Sequence, residues 1–209
     1  MMPVPEPLAR VADLMSTFRP WWALCGGWAV DAWIGRLTRD HADVDISVFQ
    51  DDQRAIFEHL ADWQLIAHDP EVDDETSEPW NGRRLALPAH IHARPPDARS
   101  SLPERLEAPT QAGFGLDIQL DERSGPDWVL SREPEVARSL NLGARPSGWG
   151  VPTAGPEVLL FYKSRDLRPQ DESDFLALLP LLTEEQCTWL REAISLVHPG
   201  HPWLTQLSL

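Results

Sequence analysis

Asp43 and Asp45 stand two residues apart in the run Asp43-Val44-Asp45-Ile46-Ser47-Val48, where polar and apolar residues alternate. In an extended strand that alternation sends both carboxylates to one face and Val44, Ile46 and Val48 to the other. Paired carboxylates suit a hard divalent cation. Mg²⁺ is the natural candidate, because it keeps several waters and takes one or two protein carboxylates together with substrate phosphates; a pair of ions fits the same set. Upstream, Gly26-Gly27 closes the short apolar run Trp22 to Leu24, and Trp28 to Ile34 continues with helical spacing. A strand, a glycine turn and a helix start bring bare backbone N–H groups together, which is a place for phosphate oxygens. Alone, a glycine pair is ordinary turn chemistry, and an Asp-x-Asp is what a solvent-facing sheet surface carries. Their succession is what points to a metal and phosphate site.

These residues need elements to hold them. Leu8, Val11, Leu14, Met15 and Phe18 recur at steps of three and four, predicting an amphipathic helix over 6–18. Asp51-Asp52 is placed to cap a helix carrying Ile56, Phe57 and Leu60, with a strand expected from Trp63 to Ala67. Short strands are expected at Arg84–Leu87 and Ile91–Ala93, in a region broken by Pro88, Pro95, Pro96 and Pro103. Phe114, Leu116, Ile118 and Leu120 alternate with Asp117 and Gln119, the pattern of another half-buried strand. The last third reads as helices over 157–164, 172–179 and 184–197, the final one opened by a Thr183/Gln186 capping box. A catalytic domain over residues 1–150 and a C-terminal helical segment over 151–209, completing the site, are the expected organisation.

The chain has 209 residues, and its 18 Lys and Arg face 33 Asp and Glu, a net charge of -15. That balance weighs against a nucleic-acid partner, whose phosphates demand basic surface, and favours small cationic molecules. Cys25 and Cys187 lack metal-ligand spacing and are expected to be small core residues. No basic segment followed by an apolar run opens the sequence, and no apolar stretch approaches the length of a bilayer span, so no membrane association and a cytoplasmic location are expected.

The order Gly26-Gly27 and then Asp43-Val44-Asp45 resembles the signature of the DNA polymerase β-like nucleotidyltransferase superfamily. The fuller wording, Gly26-Gly27-Trp28-Ala29-Val30-Asp31 followed by Gly35-Arg36-Leu37-Thr38-Arg39-Asp40-His41-Ala42-Asp43-Val44-Asp45, is similar to the aminoglycoside 2''-adenylyltransferase and lincosamide nucleotidyltransferase families over the first third of the chain. The resemblance implies an α+β nucleotidyltransferase fold, a mixed β-sheet flanked by helices. It places phosphates at Gly26, Gly27 and Trp28, metal at Asp43 and Asp45, and a third carboxylate on a later strand, the position Asp117 fits. In the aminoglycoside enzymes that carboxylate is associated with deprotonating the acceptor hydroxyl, so Asp117 is both a metal and a catalytic candidate. Arg39 and His41 become nucleotide contacts or orienters.

Lys163 and Arg165, followed by Asp171, Asp174 and Phe175, resemble a motif of related nucleotidyltransferases, including abortive-infection types. Lys163 is the candidate for the triphosphate, with Asp171 and Asp174 capping and orienting their helix. ATP is the implied donor and Mg²⁺ the cofactor. The acceptor implied is a hydroxyl of a small, aminoglycoside-like molecule, with Trp80, Arg83, Arg84 and the acidic loop from Glu71 to Glu78 available to shape its pocket. Two other readings share these residues: a toxin-like enzyme acting on tRNA or protein, and a non-catalytic nucleotide-binding regulator. The sequence carries no signal for oligomeric state.

Overall fold

The computed structural model describes residues 3–68, 79–96 and 115–207. Helix α1 (Glu6–Leu14) follows the predicted stripe, burying Leu8 and Val11, and a 3-10 turn at Met15–Thr17 replaces the last turn expected of it. Strand β1 (Trp22–Leu24) leads into α2 (Gly26–Ile34), which begins at the first glycine, two residues earlier than the apolar spacing indicates. Gly26 has a φ of 62°, a left-handed conformation that a side chain would disfavour.

Strand β2 (Val44–Phe49) starts one residue after Asp43. Helix α3 (Gln53–His59) and β3 (Gln64–His68) follow as expected, and β4 (Ala89–Arg94) extends the short strand anticipated at 91–93. Arg84–Leu87, expected as a strand, forms none: Leu85 is instead held to α3, its amide donating to the Gln53 side chain and its carbonyl accepting from Gln50. Strand β5 (Leu116–Ser124) runs further than the alternation shows. Phe114, expected to open it, lies outside the described residues, as does the acidic loop from Glu71 to Glu78.

Short strands absent from the sequence reading come next: β6 (Asp127–Val129), β7 (Ala137–Ser139), β8 (Ala144–Pro146) and β9 (Pro152–Ala154), with a helical turn, α4 (Leu140–Gly143), between β7 and β8. Three residues are too few for a period-two pattern to register.

The main sheet has the order β3-β4-β5-β2-β1-β9-β8, with β6 joined to β5 and β7 to β6. It is mixed: β2 runs parallel to β5 and β1 parallel to β9, while β1 and β2, β3 and β4, and β4 and β5 are antiparallel. Val44, Ile46, Val48, Leu116, Ile118, Leu120, Ile91 and Ala93 are buried together on one side of its central strands. The alternate residues form a polar face, and the site is built there.

Helices α5 (Pro156–Lys163), α6 (Pro169–Leu178), α7 (Glu184–Val197) and α8 (Trp203–Gln206) complete the chain. Both hydrogen bonds of the predicted capping box are present at Thr183 and Gln186. Helix α6 begins at Pro169, three residues earlier than expected, because the Asp171 carboxylate accepts the amide of Arg168 at 3.2 Å and caps the turn. A buried Glu157 takes both Arg138 (2.8 Å) and Gln186 (2.6 Å), tying α5 to β7 and α7. Buried charges are tolerated only when paired in this way. Cys25 and Cys187 are free thiols, half-buried at the edge of the core rather than within it.

Candidate active site

The register of the sheet brings the carboxylates together. Asp45 and Asp117 are direct partners across the parallel β2–β5 ladder, and directly opposed residues on neighbouring strands project from the same face. Asp43 precedes β2, and its carboxylate lies over Gly115, where an added Cβ would come within 3.1 Å of Asp43 Oδ1. The glycine turn is clamped to this strand by the Cys25 amide, which donates to the Asp45 carbonyl at 2.8 Å. Gly26 therefore lies against the Asp45 carboxylate so closely that a Cβ would stand 1.9 Å from Oδ2.

Electrostatics follow from this crowding. Burial first, then the charges of Asp117 and Asp43, push the Asp45 carboxyl up to about 7, with Lys163 opposing the shift. Burial and Asp43 push Asp117 up to about 6, opposed by His68 and Arg132. Like charges sharing a desolvated site resist ionising together. Asp117 Oδ1 is buried and accepts no hydrogen bond among the described residues. Behind the pair, buried Asp121 accepts from Ser47 Oγ (2.5 Å), Tyr162 OH (2.8 Å) and the Ser131 amide (3.1 Å), fixing the floor of the site. Burial and that carboxylate push the Tyr162 hydroxyl well above its usual range.

A second network enters from the loop after α2. Buried Asp31 accepts from the Thr38 hydroxyl and pairs with His41 Nε2 at 2.7 Å; His41 Nδ1 lies 3.0 Å from Arg39, and its ring is tilted on Trp28 at 4.6 Å. Arg39 reaches Asp174 at 3.9 Å. A Cβ on Gly27 would meet Arg39 Nη2 at 2.4 Å and His41 Nδ1 at 2.5 Å, so both side chains lie over the bare backbone of the turn. Arg39 Nε is buried without a hydrogen-bond acceptor among the described residues. Lys163, nearly buried, is held by Asp174 (2.8 Å) and Asp171 (3.1 Å). Asp171 also accepts the Arg168 guanidinium at 2.7 Å, and these partners keep its carboxyl below the usual range against its burial.

The structure thus brings Gly26, Gly27, Trp28, Arg39, Asp43, Asp45, Asp117 and Lys163 into one neighbourhood. Trp80 and Arg84, considered for an acceptor pocket, are committed elsewhere: Trp80 is buried edge-on against Phe57, and Arg84 holds Gln50 and Asp51. Sequence reasoning missed Asp121, Asp31 as the anchor of His41, and the histidines beside Asp117. Of these only His90-Ile91-His92 carried a readable sign, two imidazoles alternating with an apolar residue. His92 Nδ1 lies 3.8 Å from Asp117 Oδ1, and burial and the neighbouring His68 hold its imidazole below its ordinary value.

The fold has counterparts among solved structures. A lincosamide antibiotic adenylyltransferase, LnuA, in its lincomycin-bound form, superposes with a TM-score of 0.54 at 19% identity, covering 86% of this chain and 99% of that one. ANT(2'')-Ia in complex with adenylyl-2''-tobramycin gives 0.51 at 18% identity, covering 90% and 95%. The solution structure of the same antibiotic-resistance factor gives 0.50 at 19% identity, covering 90% and 89%. These likenesses define the class of fold, that of the nucleotidyltransferases.

Residues 7–73 match the profile of the aminoglycoside-2''-adenylyltransferase family, a stretch that holds Gly26, Gly27, Arg39, Asp43 and Asp45. No curated protein gives a significant match. Profile and fold agree: the first third of the chain matches the aminoglycoside-2''-adenylyltransferase profile, and the fold is similar to that of the lincosamide and aminoglycoside enzymes. Among the described residues no helix is long and apolar enough to cross a membrane.

Proposed function

We propose that the protein transfers AMP from ATP to a hydroxyl of a small cationic acceptor of the aminoglycoside kind, with Mg²⁺ held by Asp43, Asp45 and Asp117. The observation that carries this reading is the direct register of Asp45 and Asp117 beside the bare turn at Gly26. The donor set suits Mg²⁺: all three ligands are carboxylates, two of them resist ionising without a cation, and one buried oxygen accepts no hydrogen bond among the described residues. When bound, Mg²⁺ supplies neutralisation of phosphate charge and electrostatic stabilisation of the attacking and leaving oxygens.

The protein's own groups do the rest. The amides of Gly26, Gly27 and Trp28 at the start of α2 bind phosphate oxygens. Arg39, poised over Gly27, adds charge-assisted donors, and Lys163 brings a fixed cation towards the triphosphate. Asp117 takes the proton of the acceptor hydroxyl. That oxygen forms its bond to the α-phosphorus in line as the bond to the bridging oxygen breaks, and pyrophosphate leaves with the electron pair. The net charge of -15 favours a cationic acceptor, in keeping with the adenylylated tobramycin held by one of the similar structures.

The test is pyrophosphate release from each NTP with Mg²⁺, across aminoglycosides, lincosamides and a tRNA pool, in wild type and Asp45→Asn. Release with ATP and an aminoglycoside, lost in the variant, supports the proposal. Release with tRNA alone replaces the acceptor, and release unaffected by Asp45→Asn removes the proposed site.

A further inference from the structure

Three histidines gather on the polar face of the sheet, on the side of Asp117 away from the glycine turn. His68 ends β3 and His90 opposes it directly in β4, while His92 lies two residues further on the same face and opposes Asp117. Ring centroids lie 4.5 Å apart for His68 and His90, 4.8 Å for His68 and His92, and 5.0 Å for His90 and His92. One ligand nitrogen from each ring falls within 4.8 Å of the other two. A tetrahedral ion with Zn–N bonds of about 2.0–2.1 Å needs its nitrogens roughly 3.3 Å apart, so the three rings must draw together on binding.

We propose that His68, His90 and His92 form a binding site for a divalent transition-metal ion of the Zn²⁺ class, separate from the carboxylate site and joined to it through His92 and Asp117. Imidazole nitrogens select such ions over Mg²⁺, which prefers oxygen. Three imidazoles leave a four-coordinate ion with one position for water or another ligand, the arrangement of catalytic rather than closed structural sites. A metal-bound histidine commonly gives its second ring nitrogen to a carboxylate, and Asp117 stands on the Nδ1 side of His92 at 3.8 Å. The strands fix the arrangement: the cross-strand pair and the i, i+2 pair set three side chains on one pleated surface without help from a loop. The ion would sit next to the proposed base. Its binding does not depend on the transfer reaction.

The experiment uses tag-free, full-length protein stripped with a chelator, titrated with Zn²⁺ by calorimetry under excess Mg²⁺. A single site is expected, weakened more than about tenfold by His90→Gln and by His92→Gln, and retained in Asp45→Asn and in His198→Gln. Circular dichroism confirms that each variant is folded. Co²⁺ added to the wild type gives a readout free of any substitution: intense visible absorption of a four-coordinate, nitrogen-ligated ion is expected. Absence of Zn²⁺ binding under Mg²⁺ competition overturns the proposal. So does binding that is lost in Asp45→Asn yet unchanged in both histidine variants, and so does a weak six-coordinate Co²⁺ spectrum.

Discussion

Asp45 and Asp117 face each other across parallel strands of different origin in the chain, one following the glycine turn and one far downstream; burial, then Asp117 and Asp43, raise the Asp45 carboxyl, and burial, then Asp43, raise that of Asp117. Their pairing joins the segment matched by the family profile to a strand beyond it. Asp117→Asn keeps the shape of the side chain and removes its ability to take a proton. Turnover is expected to fall about 10²–10⁴-fold; steady-state kinetics checks the loss, and circular dichroism checks that the variant is folded.

The raised carboxyls also set a pH dependence for the metal-free protein. Burial and the neighbouring carboxylates push the folded-state Asp45 carboxyl from its ordinary 3.8 up to about 7, so the folded state holds a proton that the unfolded chain has released. The stability this confers is full below the unfolded value and is lost as pH rises through about 7. In chelator, the melting temperature is therefore expected to drop between acid and neutral pH, and Asp45→Asn should flatten that drop. Mg²⁺ should raise the melting temperature more at pH 8 than at pH 5, and an equal increment at both values would show that it does not bind these carboxylates.

Gly26→Ala places a Cβ 1.9 Å from Asp45 Oδ2 at a φ of 62°. The left-handed backbone alone costs about 1–2 kcal/mol, and the carboxylate must move. Denaturant unfolding should register the loss, and ATP affinity should fall with it. Gly125→Ala is the control, since a Cβ there meets open space despite a φ of 59°.

Lys163 separates a structural role from a functional one. Lys163→Met leaves Asp171 and Asp174 without their shared cation, and breaking such a buried pair costs about 3–5 kcal/mol. Adding Asp174→Asn should return part of that stability. If Lys163 also meets the triphosphate, the KM for ATP stays raised in the folded double variant; a restored KM would confine the lysine to holding α5 against α6.

How much of this could be read in the sequence depended on the range of the interactions. Asp43, Asp45 and the glycine pair lie within twenty residues, and their chemistry is visible in spacing alone. The Thr183 box and the α1 stripe were equally plain, because capping and helical periodicity are local. Strands β6 to β9 escaped because three-residue elements owe their existence to sheet partners rather than to pattern. Asp31 and Asp121 have no local partner in the sequence that marks their roles; only the fold brings Thr38, His41, Ser47 and Tyr162 to them. His68 joins His90 and His92 through strand register, which the proline-broken region between them conceals.

The central claim is that Asp45 and Asp117 serve one transfer reaction, and its most direct measurement is the mass of the acceptor after incubation with ATP and Mg²⁺. An aminoglycoside carrying one added AMP, formed by the wild type and absent with either Asp45→Asn or Asp117→Asn, is the predicted result. The same adduct formed undiminished by both folded variants would contradict the account.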